Sequence, residues 1–217
     1  MESTLEEIAK AKQKLKAEKL RSLQNSYSIN VLGKEIIVLP NVFYPSIDTI
    51  LLIESIPVKK TDYVLEPFAG TGVISVLLAD KVSKIIATDI NPDAVENIKK
   101  NISLYNLQNK VTAILTDIFP NTETKFDVII ANPPYTDNKA NNFAEKSMWD
   151  EGHKTIKMFL DKAKSYLKDT GKIYSSWSNF ADFDFFEKIV IEHGFKINKI
   201  SEISKEWQVY HVYEITQ

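Results

Sequence analysis

From residue 63 onward, short apolar runs alternate with longer stretches whose apolar positions are spaced for one helical face. The runs predict strands at 63–66, 84–89, 111–116, 126–131 and 171–177. The stretches between them predict helices at 72–81, 92–105, 154–168 and 182–193. Two closing strands, 195–204 and 206–215, have almost no connection between them and therefore form an antiparallel pair. Strands that are apolar throughout belong to sheets covered on both faces, and βα alternation belongs to a mostly parallel sheet. The pattern predicts an α/β fold with an antiparallel edge.

Before residue 63 the pattern is thinner. Residues 3–25 read as one exposed helix: Ser3 and Glu6 have capping-box spacing, and good helix formers dominate the remainder of the segment. Leu5, Ile8, Ala11, Leu15 and Leu23 form a narrow apolar stripe, with Lys10, Lys14 and Arg21 together on the polar side. Such a helix either docks on its own core with a solvated charged face or makes an electrostatic contact to RNA or a ribosome-associated partner. A hairpin is expected at 28–32 and 35–39, turning at Gly33-Lys34, and a helix at 46–55 between Pro45 and Pro57. The chain thus divides into an N-terminal helical extension, 1–27, and one domain, 28–217.

Composition narrows the chemistry. The 217 residues suffice for one sizeable core, and a net charge of −2 makes no demand for nucleic acid or an anionic membrane. Zero cysteines exclude disulfides, thiolate metal sites and a thiol nucleophile. His153, His193 and His211 lie far apart, without metal-ligand spacing, so no metal is expected. With no secretory h-region and no membrane-length apolar run, the expected location is the cytoplasm. Oligomeric state leaves no mark in the sequence.

The first core strand ends in Glu66-Pro67-Phe68-Ala69-Gly70-Thr71-Gly72, which opens a helix. Glycines let the backbone turn sharply and let a ligand approach it closely. A dinucleotide fingerprint needs a third glycine, and a P-loop needs Gly-Lys-Ser/Thr; both are missing here. Glu66 repels phosphate and suits a cationic ligand. The second strand ends at Asp89, placed to accept from ribose hydroxyls, and its alternative role is to cap the helix that begins at Pro92. The third ends at Asp117, which can accept from the exocyclic amine of adenine while Ile90 or Ile118 covers the ring. A cationic nucleoside without phosphate is S-adenosylmethionine. A nicotinamide dehydrogenase lacks support in the loop, and a non-catalytic nucleoside-binding module leaves the next motif unexplained.

That motif is Asn132-Pro133-Pro134-Tyr135, at the end of the fourth strand. With Glu66 to Gly72, Asp89 and Asp117, it makes residues 40–215 resemble the class I S-adenosylmethionine-dependent methyltransferases. The resemblance implies a Rossmann-like seven-stranded sheet of order 3-2-1-4-5-7-6 with strand 7 antiparallel. It implies a cofactor site of Glu66, Phe68, Ala69, Gly70, Thr71, Gly72, Asp89, Ile90, Asp117, Ile118 and Asn132, with Phe43, Tyr44 and Thr49 bordering the methionine end. The prolines stiffen the corner so that the Asn132 amide and the Pro133 carbonyl hold a planar NH₂ group, with the Tyr135 ring as its platform. Residues 132 to 135 are thus the expected catalytic set.

Enzymes with this motif act on exocyclic amines of RNA bases, adenine N6 or guanine N2, or on glutamine amides of release factors and ribosomal proteins. The segment 33–52 resembles both the release-factor group and the small-domain enzymes of tRNA and ribosomal RNA. Glu66 and Val73 depart from the release-factor pattern, and one helix stands where that group carries a larger N-terminal domain. RNA is the expected substrate and a glutamine-bearing protein the alternative. The polar segment 136–153 is expected to lie over the pocket and close on substrate. His153 is expected at a helix start facing solvent, Trp177 in the core with Ser178 beside the pocket, and Trp207 and Tyr210 in packing roles.

Overall fold

The computed structural model describes residues 5–217, with side chains from residue 7. Ser3, and the side chains of Leu5 and Glu6, lie outside the described residues, and with them the expected capping box. The chain begins with α1 (Leu5–Ser22), a hairpin of β1 (Tyr27–Val31) and β2 (Lys34–Val38), and α2 (Ile47–Ser55). The alternating part continues as β3 (Tyr63–Pro67), α3 (Val73–Leu78), β4 (Lys84–Asp89), α4 (Pro92–Leu104), β5 (Val111–Leu115) and β6 (Phe126–Ala131). It closes with α5 (Phe143–Lys146), α6 (Lys154–Tyr166), β7 (Leu167–Ser178), α7 (Phe183–Glu192), β8 (Lys196–Lys205) and β9 (Gln208–Thr216).

Seven strands form one sheet in the order β5-β4-β3-β6-β7-β9-β8. Numbered from β3, this is 3-2-1-4-5-7-6, and the seventh strand runs antiparallel to both neighbours. Successive side chains of a strand point to opposite faces, so a sheet covered twice must be apolar at consecutive positions. Val64 and Leu65, and Ile129 and Ile130, meet that demand and are all fully buried. Val64 and Ile130 join the core under α3 and α4, while Leu65 and Ile129 join the other core with Phe159 of α6 and Phe186 of α7.

The hairpin is fastened to this sheet by polar groups. Asn97 and Asn101, one turn apart on α4, are both fully buried. Their Oδ1 atoms accept from Leu39 N (2.7 Å) and Ile37 N (2.9 Å), and both Nδ2 groups donate to Ile37 O. The unpaired edge of β2 is thereby satisfied by side chains instead of another strand. Asn101 also donates to Thr71 O at 2.9 Å, which ties the hairpin to the glycine loop.

Several boundaries differ from expectation. The hairpin turns at Leu32-Gly33, one residue early, because these two positions carry the positive φ values, 49° and 84°, and Asn30 Oδ1 accepts from Gly33 N. The helix expected at 72–81 stops at Leu78 and tightens into a 3₁₀ turn, Ala79–Lys81. α6 ends at Tyr166, and Leu167 already pairs with Phe126 before a bulge, so β7 begins four residues early. The apolar stripe expected on α1 only partly faces the protein: Ile8 is half-buried and Leu23, just past the helix, packs on a small core. Leu15 is 67% exposed and Ala11 is exposed, while Ala9, Gln13, Ala17 and Leu20 are buried. Small residues let the helix approach closely, and a glutamine stands on the inward face where the pattern reads only polarity.

Candidate active site

The carboxyl ends of β3, β4, β5 and β6 open into one cavity of about 710 Å³. The glycine loop forms its floor through three left-handed residues: Phe68 (φ 60°), Gly70 (54°) and Gly72 (73°). Ala69 N donates to Thr88 O (3.0 Å), Gly70 N to Asp89 Oδ2 (2.9 Å) and Gly72 N to Ala69 O (2.7 Å), which fix the turn. Glu66, Phe68, Ala69, Gly70 and Thr71 line the cavity. Gly72, also expected in the cofactor site, is not among the cavity-lining residues and faces α4. A Cβ there would meet the Ile98 side chain at 3.0–3.3 Å, so its bareness serves helix packing.

The acids at the strand ends differ in environment. Glu66 is 1% exposed; its Oε2 accepts from Ser75 N at 2.9 Å and from Ser75 Oγ, while its buried Oε1 has no partner. Burial, only partly offset by the Ser75 hydrogen bonds, pushes its carboxyl up to about 8. Asp89 accepts from Gly70 N and, through Oδ1, from Asn91 N at 2.8 Å, and burial raises its carboxyl as well. The cap of α4 is Asn91, whose side chain accepts from Asp93 N with Pro92 in the first turn, so Asp89 stays in the cleft. Asp117 is exposed at the cavity wall beside Ile118, which is buried at φ 65°, and Ile90 presents a side chain 41% exposed.

At the end of β6, Asn132, Pro133, Pro134 and Tyr135 all line the cavity. Asn132 is held at both ends: Nδ2 donates to Thr49 Oγ1 (3.1 Å), and Ser176 Oγ of β7 donates to Oδ1 (2.6 Å). The chain of donors fixes the amide's orientation. Thr49 Oγ1 gives its proton toward Asp48 Oδ1 (3.4 Å) and can therefore only accept from Asn132. Oδ1 keeps a second lone pair. The Tyr135 ring is 8% exposed, between Trp177 (5.5 Å) and Phe180 (6.4 Å), with its hydroxyl 3.4 Å from Asp48 Oδ2.

α1 and the segment after the corner form the roof. Lys12, Gln13 and Lys16 line the cavity from above with Phe143, Met148 and Trp149. Gln13 Nε2 donates to Thr136 Oγ1 (2.8 Å), and Trp149 Nε1 donates to Gln13 Oε1 (2.9 Å). Ala17 and Leu20 pack on Ala144, Met148 and Trp149 in a small core of their own. Residues 136–153 are therefore not an open polar loop: Thr136 bridges to Trp149, and α5 folds beneath α1.

The family model described as "Methyltransferase small domain" matches residues 34–211. The chain belongs to this family. A Methanocaldococcus jannaschii relative, provisionally named a protein N5-glutamine methyltransferase, is 34% identical over 152 residues, 67% of this chain and 76% of its own. The ribosomal RNA small subunit methyltransferase C of Haemophilus influenzae is 33% identical over 140 residues, 62% of this chain but 39% of that protein. Among solved structures, the T. thermophilus 16S rRNA N2 G1207 methyltransferase, in complex with AdoMet and guanosine, superposes with a TM-score of 0.68 at 20% identity. It covers 89% of this chain and 50% of that one. The methyltransferase domain thus spans half or less of these two ribosomal RNA enzymes.

Methyltransferases of this family take the methyl group from S-adenosylmethionine. The residues of this domain fit that cofactor on an observation of their own. The unpartnered, buried Glu66 Oε1 suits an ammonium, and Gly70 leaves the floor open, since a Cβ there would come no nearer than 3.5 Å to Phe43 O. The structure brings Thr49 and every expected cofactor residue except Gly72 to one cavity. It adds Asp48, Ser176, Gln13 and Lys16 around them. An acid directly before Thr49 was the only one of these with a signal in the sequence. His153 stands at the start of α6 but does not face solvent: its ring lies 4.2 Å from Phe185 and its Nδ1 is buried. Trp177 is fully buried in the core, whereas Tyr210 lines the cavity in addition to packing.

In the described residues no helix is long and apolar enough to cross a membrane.

Proposed function

We propose that this methyltransferase acts in the cytoplasm on a planar nitrogen, the exocyclic amine of an RNA base, adenine N6 or guanine N2. The observation that carries the nitrogen assignment is Asn132, clamped by Thr49 and Ser176 with one Oδ1 lone pair still available in the cavity. A planar amine is a poor nucleophile because its lone pair is delocalised. Asn132 Oδ1 and the Pro133 carbonyl accept from its two N–H groups and orient the lone pair out of conjugation. Glu66, Asp89 and Asp117 hold the cofactor's ammonium, ribose and adenine, with Ile90 and Ile118 against the ring. When bound, S-adenosylmethionine supplies a methyl group already activated by a sulfonium. The roof of α1 and Trp149 excludes water from the transfer. The nitrogen, positively charged once methylated, is acidic enough to lose its proton directly to water as the site reopens and needs no strong base.

RNA is favoured by the rim of the cavity. Lys12, Lys146, Lys154 and Lys205 are all exposed there, interleaved with Phe143, Phe180 and Tyr210, the pattern that suits phosphates and stacked bases. Similarity to the M. jannaschii glutamine methyltransferase supports a second reading, a protein glutamine amide. Incubation with labelled cofactor and total RNA or protein extract, each treated with nuclease or protease, separates them. Label that survives protease and is lost to nuclease is the expected result, and the converse moves the substrate to protein.

A further inference from the structure

Two lysines of α1 line the cavity, and they differ. Lys12 is exposed, with its ammonium 4.7 Å from the Trp207 ring. Lys16 is largely withdrawn from water, its ammonium 4.0 Å from the Phe43 ring centroid and 4.3 Å from that of Tyr44. These two rings stack at 5.6 Å with 4° between their planes and form a rigid seat. Among the described residues, no group accepts a hydrogen bond from Lys16 Nζ. The nearest anion, Asp48, is already engaged: Oδ1 accepts from Ser46 Oγ (2.5 Å) and Thr49 N (2.7 Å), and Oδ2 faces the Tyr135 hydroxyl. Desolvation lowers the Lys16 amine to about 8, with Asp48 partly offsetting it. A partly desolvated ammonium that has no protein acceptor is stabilised by an anion beside it.

The position of Lys16 says which anion. Phe43, whose ring lies under this ammonium, is a neighbour of the glycine loop, its carbonyl oxygen at ordinary contact distance, 3.5 Å, from where a Cβ on Gly70 would stand. Glu66, whose Oε1 lacks a donor, stands at the start of that loop in the same cavity. A cation without an acceptor and a carboxylate oxygen without a donor therefore share the glycine-loop end. The ligand that satisfies both carries an anion and an ammonium on one carbon, an α-amino acid. We propose that Lys16 binds the α-carboxylate of the cofactor, with Glu66 Oε1 facing its ammonium, which makes α1 part of the cofactor site. This assignment rests on the S-adenosylmethionine reading of the same cavity.

The test compares two ligands by calorimetry on the full chain: S-adenosylhomocysteine and 5′-methylthioadenosine, which keeps the nucleoside and thioether but lacks the amino acid. Lys16→Met preserves packing on the rings without the charge, Lys16→Gln is a second neutral variant should the first melt early, and Lys16→Arg restores the charge. The expected result is a tenfold to hundredfold loss of S-adenosylhomocysteine affinity in the neutral variants. Affinity for 5′-methylthioadenosine should stay within twofold, and Arg should recover part of the loss. Equal losses for both ligands would assign Lys16 to holding α1 in place and overturn the proposal. Unchanged affinity for both, with a raised KM for the methyl acceptor, would assign it to a substrate anion and also overturn it. Wild-type protein that binds neither ligand would instead sink the cofactor reading itself.

Discussion

Replacing Glu66 by Gln tests the electrostatics of the cavity directly. The folded protein holds this carboxyl at about 8 against an ordinary value of 4.5, mainly because burial disfavours its charge and partly because Asp89 is near. The sign comes from linkage. Between these two values the folded chain keeps a proton that the unfolded chain has released. Stability from this group is therefore complete below about 4.5 and is lost as pH rises through about 8. The gap between 4.5 and about 8 sets an upper bound of about 5 kcal/mol, and relaxation of the buried site reduces it to on the order of 1–3 kcal/mol. Glutamine keeps the shape and still accepts from Ser75 N, but it does not titrate.

Without ligand, wild type and Glu66→Gln should melt within a degree or two of each other near pH 5. The variant should be the more stable at pH 9, by roughly 3–10 °C for a chain of this size. S-adenosylhomocysteine should flatten the wild-type pH dependence, because its ammonium stabilises the carboxylate, and should bind the variant at least tenfold more weakly. Melting curves at six pH values, with and without ligand, contain the whole test. Parallel pH profiles for the two proteins would refute the reasoning.

Asn132→Ala should leave S-adenosylhomocysteine affinity within a few-fold while the transfer rate falls by on the order of 10²-fold; a normal rate would reduce Asn132 to a turn residue. Ser176→Ala should lower kcat by about tenfold with KM little changed, because it frees the Asn132 amide to rotate; single-turnover kinetics check this. Deleting residues 1–25 should expose Met148 and Trp149, lower the melting temperature and weaken S-adenosylhomocysteine binding, and retention of full affinity would disconnect α1 from the site. Lys146→Glu with Lys205→Glu should raise KM for RNA and reduce its salt dependence by about two counterions, whereas a glutamine-bearing protein substrate would show no such slope.

The sheet was legible because consecutive apolar positions such as Val64-Leu65 and Ile129-Ile130 admit only a doubly covered strand. The glycine loop, the acids at three strand ends and the proline corner were legible because each is a local solution to a local problem, and the topology then brings them together. Gly72 shows what stays illegible, since bareness toward a ligand and bareness toward Ile98 look alike in sequence. Ser176 carried no signal, since a serine late in a buried strand gains its meaning only from Asn132 on the neighbouring strand. Gln13 is the clearest case. Its partners lie 123 and 136 residues away, so no window of the sequence contains the reason for a glutamine on the buried face of α1.

Three ionisable residues that resist explanation by folding line the same cavity. Burial holds Glu66 well above the ordinary carboxylate range and raises Asp89, and it holds Lys16 below the ordinary amine range for the same reason. Each is penalised in the folded protein, and apolar neighbours would relieve the penalty more simply than charges do. Yet the same chain satisfies both ends of Gln13, both ends of Asn132 and the whole edge of β2 with buried amides. Among the described residues two buried side-chain atoms lack a partner, Glu66 Oε1 and His153 Nδ1; Glu66 Oε1 is the one in the cavity, where the Lys16 ammonium also has no acceptor. Local departures from the rules of stable packing mark functional sites when the rest of the molecule obeys them. Here one departure is a carboxyl at the start of the glycine loop and another an amine on the Phe43-Tyr44 seat of the same cavity. That is the arrangement expected if the amino-acid end of the cofactor, a zwitterion, completes the site as proposed for Lys16 and Glu66.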